Sequence, residues 1–389
     1  AIFFDIDFDY IQRSGTQTTQ SNVGQNAILF GTRGGATVGT AEGVSGVIIN
    51  CAFRRIGNNA ISFNGINSAS QYAYAAPVGI VLGCEFDDLG GDCVFGAVAK
   101  YFEIGHNVMT NMGTRIDPSV TPNPGGRQSA ADGINLIYGA TKFGWIHDNY
   151  IDHSLWDCKH AVMIDAPDPD TSAGYVLIER NVIIGYGAGA TIAQSVNNVG
   201  VNCELPALIR NNYIRGTRLL LFTSTNAADT EVCHNVFDPL SVDAGSPAVV
   251  SISGTRTRVH NNVVWAPTYL AGAKGINQQS SATQFQAYEN VLGNCEEGLS
   301  LVNPTQATHT RNAYYNCRRN ISSSGAALAA DVYDVEVSPE NFANVGQRDF
   351  TPNDLRLMFR KVDKAEPDFW GRFGSQGIGY IGAVTGTVL

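Results

Sequence analysis

The sequence predicts an all-β solenoid, a single-stranded parallel β-helix of about ten to twelve coils with a C-terminal capping segment. Three observations predict it. An asparagine recurs at the head of short apolar strands, in HNVM (Asn107), DNYI (Asn149), RNVI (Asn181), NNYI (Asn212), HNVF (Asn235), NNVV (Asn262), ENVL (Asn290) and RNAY (Asn312). The separations are 42, 32, 31, 23, 27, 28 and 22 residues, so the shortest are single repeats and the longer ones carry inserted loops. Short β-branched runs broken by Gly, Asn and Asp at each corner are strand and turn signals, and no long stretch keeps a 3.6-residue apolar period. Forty-two glycines and only 15% charged residues suit a turn-rich β chain with close backbone approach.

The units read in order as GVIINCAFRRIGNNAISFNG, then GIVLGCEFDDLGGDCVFGAV, then the more decorated YFEIGHNVMTNMG to AADGINLIYG. Cys51 and Cys84 take the position that Asn fills later, which implies buried thiols behaving as small hydrophobes. All eight cysteines are expected to be reduced, since they are scattered and none shows CxxC spacing. A buried amide at a tight bend can bond its own coil's backbone and the amide above it, which gives the asparagines a reason to stack. Residues 1–317 are expected to form the helix, with residues 1–45 adding one or two coils before the first ladder position. Residues 318–389 hold most of the late charge, including DLRLMFRKVDKAEPDFWGRF, and are expected to cover the open end as cap and last coils.

A chain of 389 residues with 44% apolar composition can bury a large core, and a stack grows by adding units, so the repeat argues for one domain. The net charge of −10 leaves no basic stripe for nucleic acid. No run of 18 apolar residues is present, so no membrane insertion is expected. The chain opens directly on AIFFDIDF, an alternating strand pattern, and an upstream module is expected before Ala1.

Candidate chemistry comes from columns. Aligning GNNAISF, GGDCVFG, AADGINL, CKHAVMI and GAGATIA sets Ala60, Cys93, Gly133, Ala161 and Ala190 in register. Immediately before them stand Asn59, Asp92, Asp132, His160 and Gly189, which should be vertical neighbours at about the 4.8 Å strand spacing. Two carboxylates that close cannot both ionise easily, so one becomes a general acid of the kind a glycosidase uses, with retaining and inverting geometries both open. The alternative is that these side chains simply cap turns.

The segment WIHDNYIDHSLWDCKHAVMIDAPDPD is the densest polar cluster, flanked by Trp145 and Trp156. Sugar rings stack on aromatic faces and sugar hydroxyls bond carboxylates, so His153, Asp157 and Asp165 join the tryptophans as candidate substrate contacts. Insertions at 110–130 and 166–174 would wall a cleft. Arg115 and Arg127, with Lys159, could neutralise a uronate carboxylate, and Lys159 or His160 could then act as the base of a lyase. The plain alternatives are an exposed polar loop and ordinary surface charge. No cofactor is expected. Calcium stays open because Asp165, Asp168 and Asp170 offer hard oxygen ligands, although the EF-hand glycine and closing Glu are missing.

The N-x-[VIY]-[IF] repeats and the closing GIGYIGAV resemble the right-handed parallel β-helix superfamily, which contains pectate-lyase-like enzymes and phage tailspike depolymerases. The resemblance covers roughly residues 1 to 385 and implies a right-handed helix, a cell-surface glycan or other polysaccharide as partner, an extracellular or virion-tail location, and a homotrimer. No diagnostic catalytic motif is present, so the resemblance assigns no residue. The function expected is polysaccharide binding with hydrolytic or β-eliminating cleavage. The competing expectation is a non-catalytic structural or adhesion protein such as a virion fibre, because fold alone does not fix function.

Overall fold

A computed structural model describes residues 1–11, 27–31, 45–57, 59–64, 76–97, 99–112, 131–137, 142–154, 160–165, 174–185, 199–217, 219–242, 247–353, 360–361 and 378–379. The described residues are almost entirely β, in long parallel sheets of stacked strands, an arrangement consistent with a solenoid. Among them the only helical pieces are single 3-10 turns at Pro304–Gln306, Pro339–Asn341 and Val345–Gln347. The chain divides into two compact units, residues 1–177 with 182–205, and residues 178–181 with 206–389.

The first unit holds three stacks of parallel strands. One runs Ile2–Phe4, Gly46–Ile49, Ala76–Leu82, Ala99–Gly105 and Phe143–His147. A second runs Asp7–Ile11, Ala52–Ile56, Glu85–Leu89, Val108–Met112, Tyr150–Asp152 and Val182–Ile184. The third runs Ile28–Gly31, Ile61–Asn64, Val94–Ala97, Asp132–Ile137, His160–Ile164 and Val199–Cys203. Parallel in-register stacking puts like residues over like. Phe8, Phe53 and Phe86 therefore form an inner column with ring centroids 4.9 and 5.1 Å apart, continued by Met109, Ile151 and Ile183. Each fully buried ring or aliphatic chain contributes about 1.5–3 kcal/mol.

The second unit repeats the plan. Its first stack runs Ala207–Arg210, Glu231–Cys233, Arg258–His260, Phe285–Tyr288 and Ala307–Thr310. The other two stacks merge where Val263–Gln278 and Val291–Leu301 each run through both positions as one long strand. The inner column here is Ile214, Phe237, Val264, Leu292 and Tyr314.

Every repeat turns at the same point. The residue before the ladder position is left-handed, at Asn50, Gly83, His106 and Asp148 in the first unit and Arg180, Asn211, His234, Asn261, Glu289 and Arg311 in the second, with φ between 53 and 64°. A side chain in that region costs about 1–2 kcal/mol. The ladder offsets the cost. Asn149 Oδ1 accepts from Asn107 N (3.1 Å) and Nδ2 (2.9 Å), while Asn107 Oδ1 accepts from Cys84 N (2.8 Å). In the second unit the same pattern links Asn181, Asn212, Asn235, Asn262, Asn290 and Asn312, all at most 3% exposed. The ladder also runs one rung past the asparagine frame, because Asp334 Oδ1 accepts from Asn312 N at 2.7 Å.

Cys51 and Cys84 lie at the ladder position and are buried, and seven cysteines are free among the described residues. Burial pushes the Cys84 and Cys203 thiols up to about 12, which makes them packing groups and not nucleophiles. Cys158 lies outside the described residues. Of the segment after residue 317, Arg319–Ser323 and Val335–Glu336 continue the parallel stacks of the second unit, and residues 342–350 pack against its earlier strands. Phe342 and Phe350 pack on Trp265 at 5.8 and 5.5 Å, and Arg348 bonds the buried Asp238 carboxylate at 2.6 and 2.9 Å.

Candidate functional site

In the first unit the third stack brings Asn59, Asp92, Asp132 and His160 together, each at the turn entering a strand. Such turns leave a backbone N–H without a strand partner, and here the side chain of the preceding repeat supplies it. Asn59 Oδ1 accepts from Asp92 N (2.9 Å), Asp92 Oδ1 from Asp132 N (2.7 Å), and Asp132 Oδ1 from His160 N (2.8 Å). This second ladder runs opposite to the asparagine one, with each oxygen serving the residue later in sequence. Asp132 Oδ1 also lies 3.1 Å from His160 Nδ1, and Asp92 Oδ2 accepts from Asn135 Nδ2 at 3.3 Å.

Asp92, Asp132 and His160 are 4, 2 and 3% exposed. Their capping bonds therefore account for the two aspartates' place in the fold, and an Asp–His pair sits at the end of the column. His153, also buried, joins the group beside His160. Burial drives its imidazole down to about 4, the nearby Asp152 opposing and the His160 ring adding to the shift, so it is neutral at pH 7. The His153 backbone N–H bonds Ile184 O at 2.9 Å.

The other expected contacts divide. Asp165 is half-buried at the end of strand His160–Ile164, with its N–H on Leu136 O at 2.8 Å. Trp145 lies instead in the first stack, where its ring stacks on His147 with centroids 3.9 Å apart. Lys159, Arg115, Arg127, Trp156, Asp157, Asp168 and Asp170 fall outside the described residues, as do most of the two insertions expected to wall a cleft.

A feature of the first stack went unread in the sequence. Tyr101, Phe143 and Tyr175 are 50, 40 and 41% exposed on successive strands. Tyr101 pairs with Phe143, and the Tyr175 N–H bonds Lys142 O at 3.2 Å, which sets Tyr175 over Phe143. The signal was available: each stands six residues before its ladder asparagine, Asn107, Asn149 or Asn181. The same offset in the second unit gives Pro206, Asp229, Arg256, Gln284 and Gln306, so the aromatic column belongs to the first unit alone.

Metal-capable groups are few among the described residues. His106, His147 and Asp148 come together in the first unit, and Glu231, Cys233 and His260 in the second. No known family model and no curated protein matches the sequence.

Proposed function

We propose that the chain is a polysaccharide-binding protein of the right-handed parallel β-helix type, and that its first unit holds the glycan on the Tyr101, Phe143 and Tyr175 column. The observation that carries this is the confinement of three exposed rings, one strand spacing apart, to the unit that also bears the long insertions. An aromatic face left in water costs solubility, and stacking on the apolar face of a sugar relieves it. The same reading places the protein outside the cell or on a virion tail, acting as a homotrimer.

The test is a glycan-array screen followed by titration of the best polysaccharide. Tyr101→Ala with Phe143→Ala should weaken binding by about tenfold per ring, roughly 1.4 kcal/mol each. Unchanged affinity in the double variant would remove the aromatic face from the reading.

Cleavage is the second reading, favoured by the Asp132–His160 contact at 3.1 Å beside neutral His153. Reducing-end release marks a hydrolase and ultraviolet absorbance of an unsaturated uronate marks a lyase. Asp132→Asn keeps the acceptor for His160 N, so loss of turnover with binding intact would support the carboxylate's role. Turnover equal to wild type would end it, and glycan binding with no product at all would leave an adhesion protein.

A further inference from the structure

The first stack carries the same four-residue arrangement once in each unit. In the first unit it is built by Glu103, His106, His147 and Asp148, and in the second by Glu231, His234, His260 and Asn261. The sequence frame is E-[IV]-[GC]-H-N on one strand and [WR]-[IV]-H-[DN]-N on the next. Register is the same in both, with Glu103 beside Trp145 and Gly105 beside His147, and with Glu231 beside Arg258 and Cys233 beside His260. Nδ1 of the central histidine lies 2.8 Å from the corner residue's side-chain oxygen in each case. The corner histidine of the preceding repeat meets that ring edge-on, His106 on His147 at 87° and His234 on His260 at 81°.

The two copies differ where charge is concerned. In the second unit Arg258 pairs with Glu231, His260 Nε2 bonds Glu231 Oε1 at 3.0 Å, and the corner is the neutral Asn261. That copy is internally balanced. In the first unit Trp145 stands where the second has Arg258 and Asp148 where it has Asn261, so this copy has one carboxylate more and one arginine fewer among these positions. His147 is 3% exposed, yet its Nε2 makes no hydrogen bond and points at Glu103 Oε1 3.5 Å away. The reason is the tautomer. Asp148 only accepts, so the 2.8 Å bond requires the proton on Nδ1, which leaves the Nε2 lone pair facing a carboxylate.

We infer that His106, His147 and Asp148 bind a divalent transition-metal ion, with Glu103 orienting the central imidazole. The ion takes the His147 Nδ1 lone pair, and the proton moves to Nε2, where it is donated to Glu103. Both nitrogens then have partners, in the carboxylate–histidine–metal relay that fixes ligand rings elsewhere. The ligand atoms of His106, His147 and Asp148 lie within 4.8 Å of one another, and His106 Nε2 is 3.9 Å from Asp148 Oδ2. Ligands about 2.0–2.2 Å from one zinc-like ion are roughly 3–3.5 Å apart, so rotation of the exposed His106 closes the site. Two imidazoles and a carboxylate suit zinc, cobalt or nickel over calcium. Gly105 makes room for the ring, because a Cβ there would lie 2.4 Å from it.

The experiment is titration of the EDTA-treated chain with Co2+, read by its visible d–d bands, with Zn2+ competition. One equivalent should bind. Asp148→Asn and Trp145→Arg, which install the second unit's own residues, should each weaken binding about tenfold or more. His106→Gln, at an exposed corner where folding is not at risk, should do the same, while Glu231→Gln should leave the stoichiometry at one. Absence of saturable Co2+ binding, or binding that survives Asp148→Asn and His106→Gln together, would overturn the inference. Glycan binding is measured separately and its outcome does not bear on this one.

Discussion

Asn212 Oδ1 accepts both the backbone N–H and the side-chain Nδ2 of Asn181, at 3.0 and 2.9 Å, while its own Nδ2 donates onward to Asn235 Oδ1 at 2.9 Å. Each rung thus takes two bonds from the rung before and passes two, through its backbone N–H and its Nδ2, to the rung after. The buried corner of every repeat depends on its neighbour for hydrogen bonding, which makes the stack cooperative.

Asn235 shows what one rung is worth. It is fully buried, accepts twice from Asn212, and donates to Asn262 Oδ1, Ile209 O and Cys233 O. Asn235→Ala should cost about 2–4 kcal/mol in urea denaturation, since several buried groups lose partners at once. Asn235→Asp keeps the acceptors but loses the donors and sets a charge against carbonyl oxygens. Its deficit should be larger at pH 7 than near pH 4, where protonation restores a donor.

Asp334 takes the next rung as a carboxylate, and burial holds it above the ordinary aspartate range despite its bonds to the Asn312 and Asp331 N–H groups. A raised folded value means the native state favours the protonated acid, so this group's contribution is present at low pH and lost as pH rises through that value. Asp334→Asn should therefore stabilise at pH 7, with the gain vanishing in acid. Paired thermal melts across pH would show no such convergence if the rung were solvated.

His153 works the other way. The unfolded imidazole takes its proton near 6.5 and the folded one only near 4, so the unfolded state binds more protons between those values. Stability should fall as pH drops through that window, by on the order of 3 kcal/mol in total. His153→Leu should flatten this part of the denaturation profile, and an unchanged profile would show that the ring is hydrated.

Arg348 clamps the C-terminal segment to Asp238, whose carboxylate is 1% exposed and also receives the Tyr213 hydroxyl at 2.9 Å. Arg348→Ala leaves that charge buried with Arg215 3.7 Å away as the remaining cation, and should cost about 3 kcal/mol. Replacing both partners, as Arg348→Met with Asp238→Leu, should recover much of the loss.

The periodic parts of this architecture were legible in the residues. The asparagine frame gave the ladder, Cys51 and Cys84 gave its opening rungs, and the alignment behind Ala60, Cys93, Gly133 and Ala161 made Asp92, Asp132 and His160 neighbours. The frame faded after Asn312 because the next rung uses Asp334, a carboxylate in place of an amide. The direction of the carboxylate bonds was not legible. A column of aspartates reads equally as paired acids or as caps until the turn shows which N–H each oxygen faces.

What the sequence determined by itself is whatever recurs, because a stack imposes the same steric and hydrogen-bonding demand on each repeat and so marks the same offset every time. The tertiary structure alone decided the pairs that occur once or twice, such as Glu103 with His147 or Arg348 with Asp238, which stand 44 and 110 residues apart. Insertions of unequal length separate those partners in the chain, and only strand register, for Glu103 with His147, or the packing of a turn, for Arg348 with Asp238, brings them within reach.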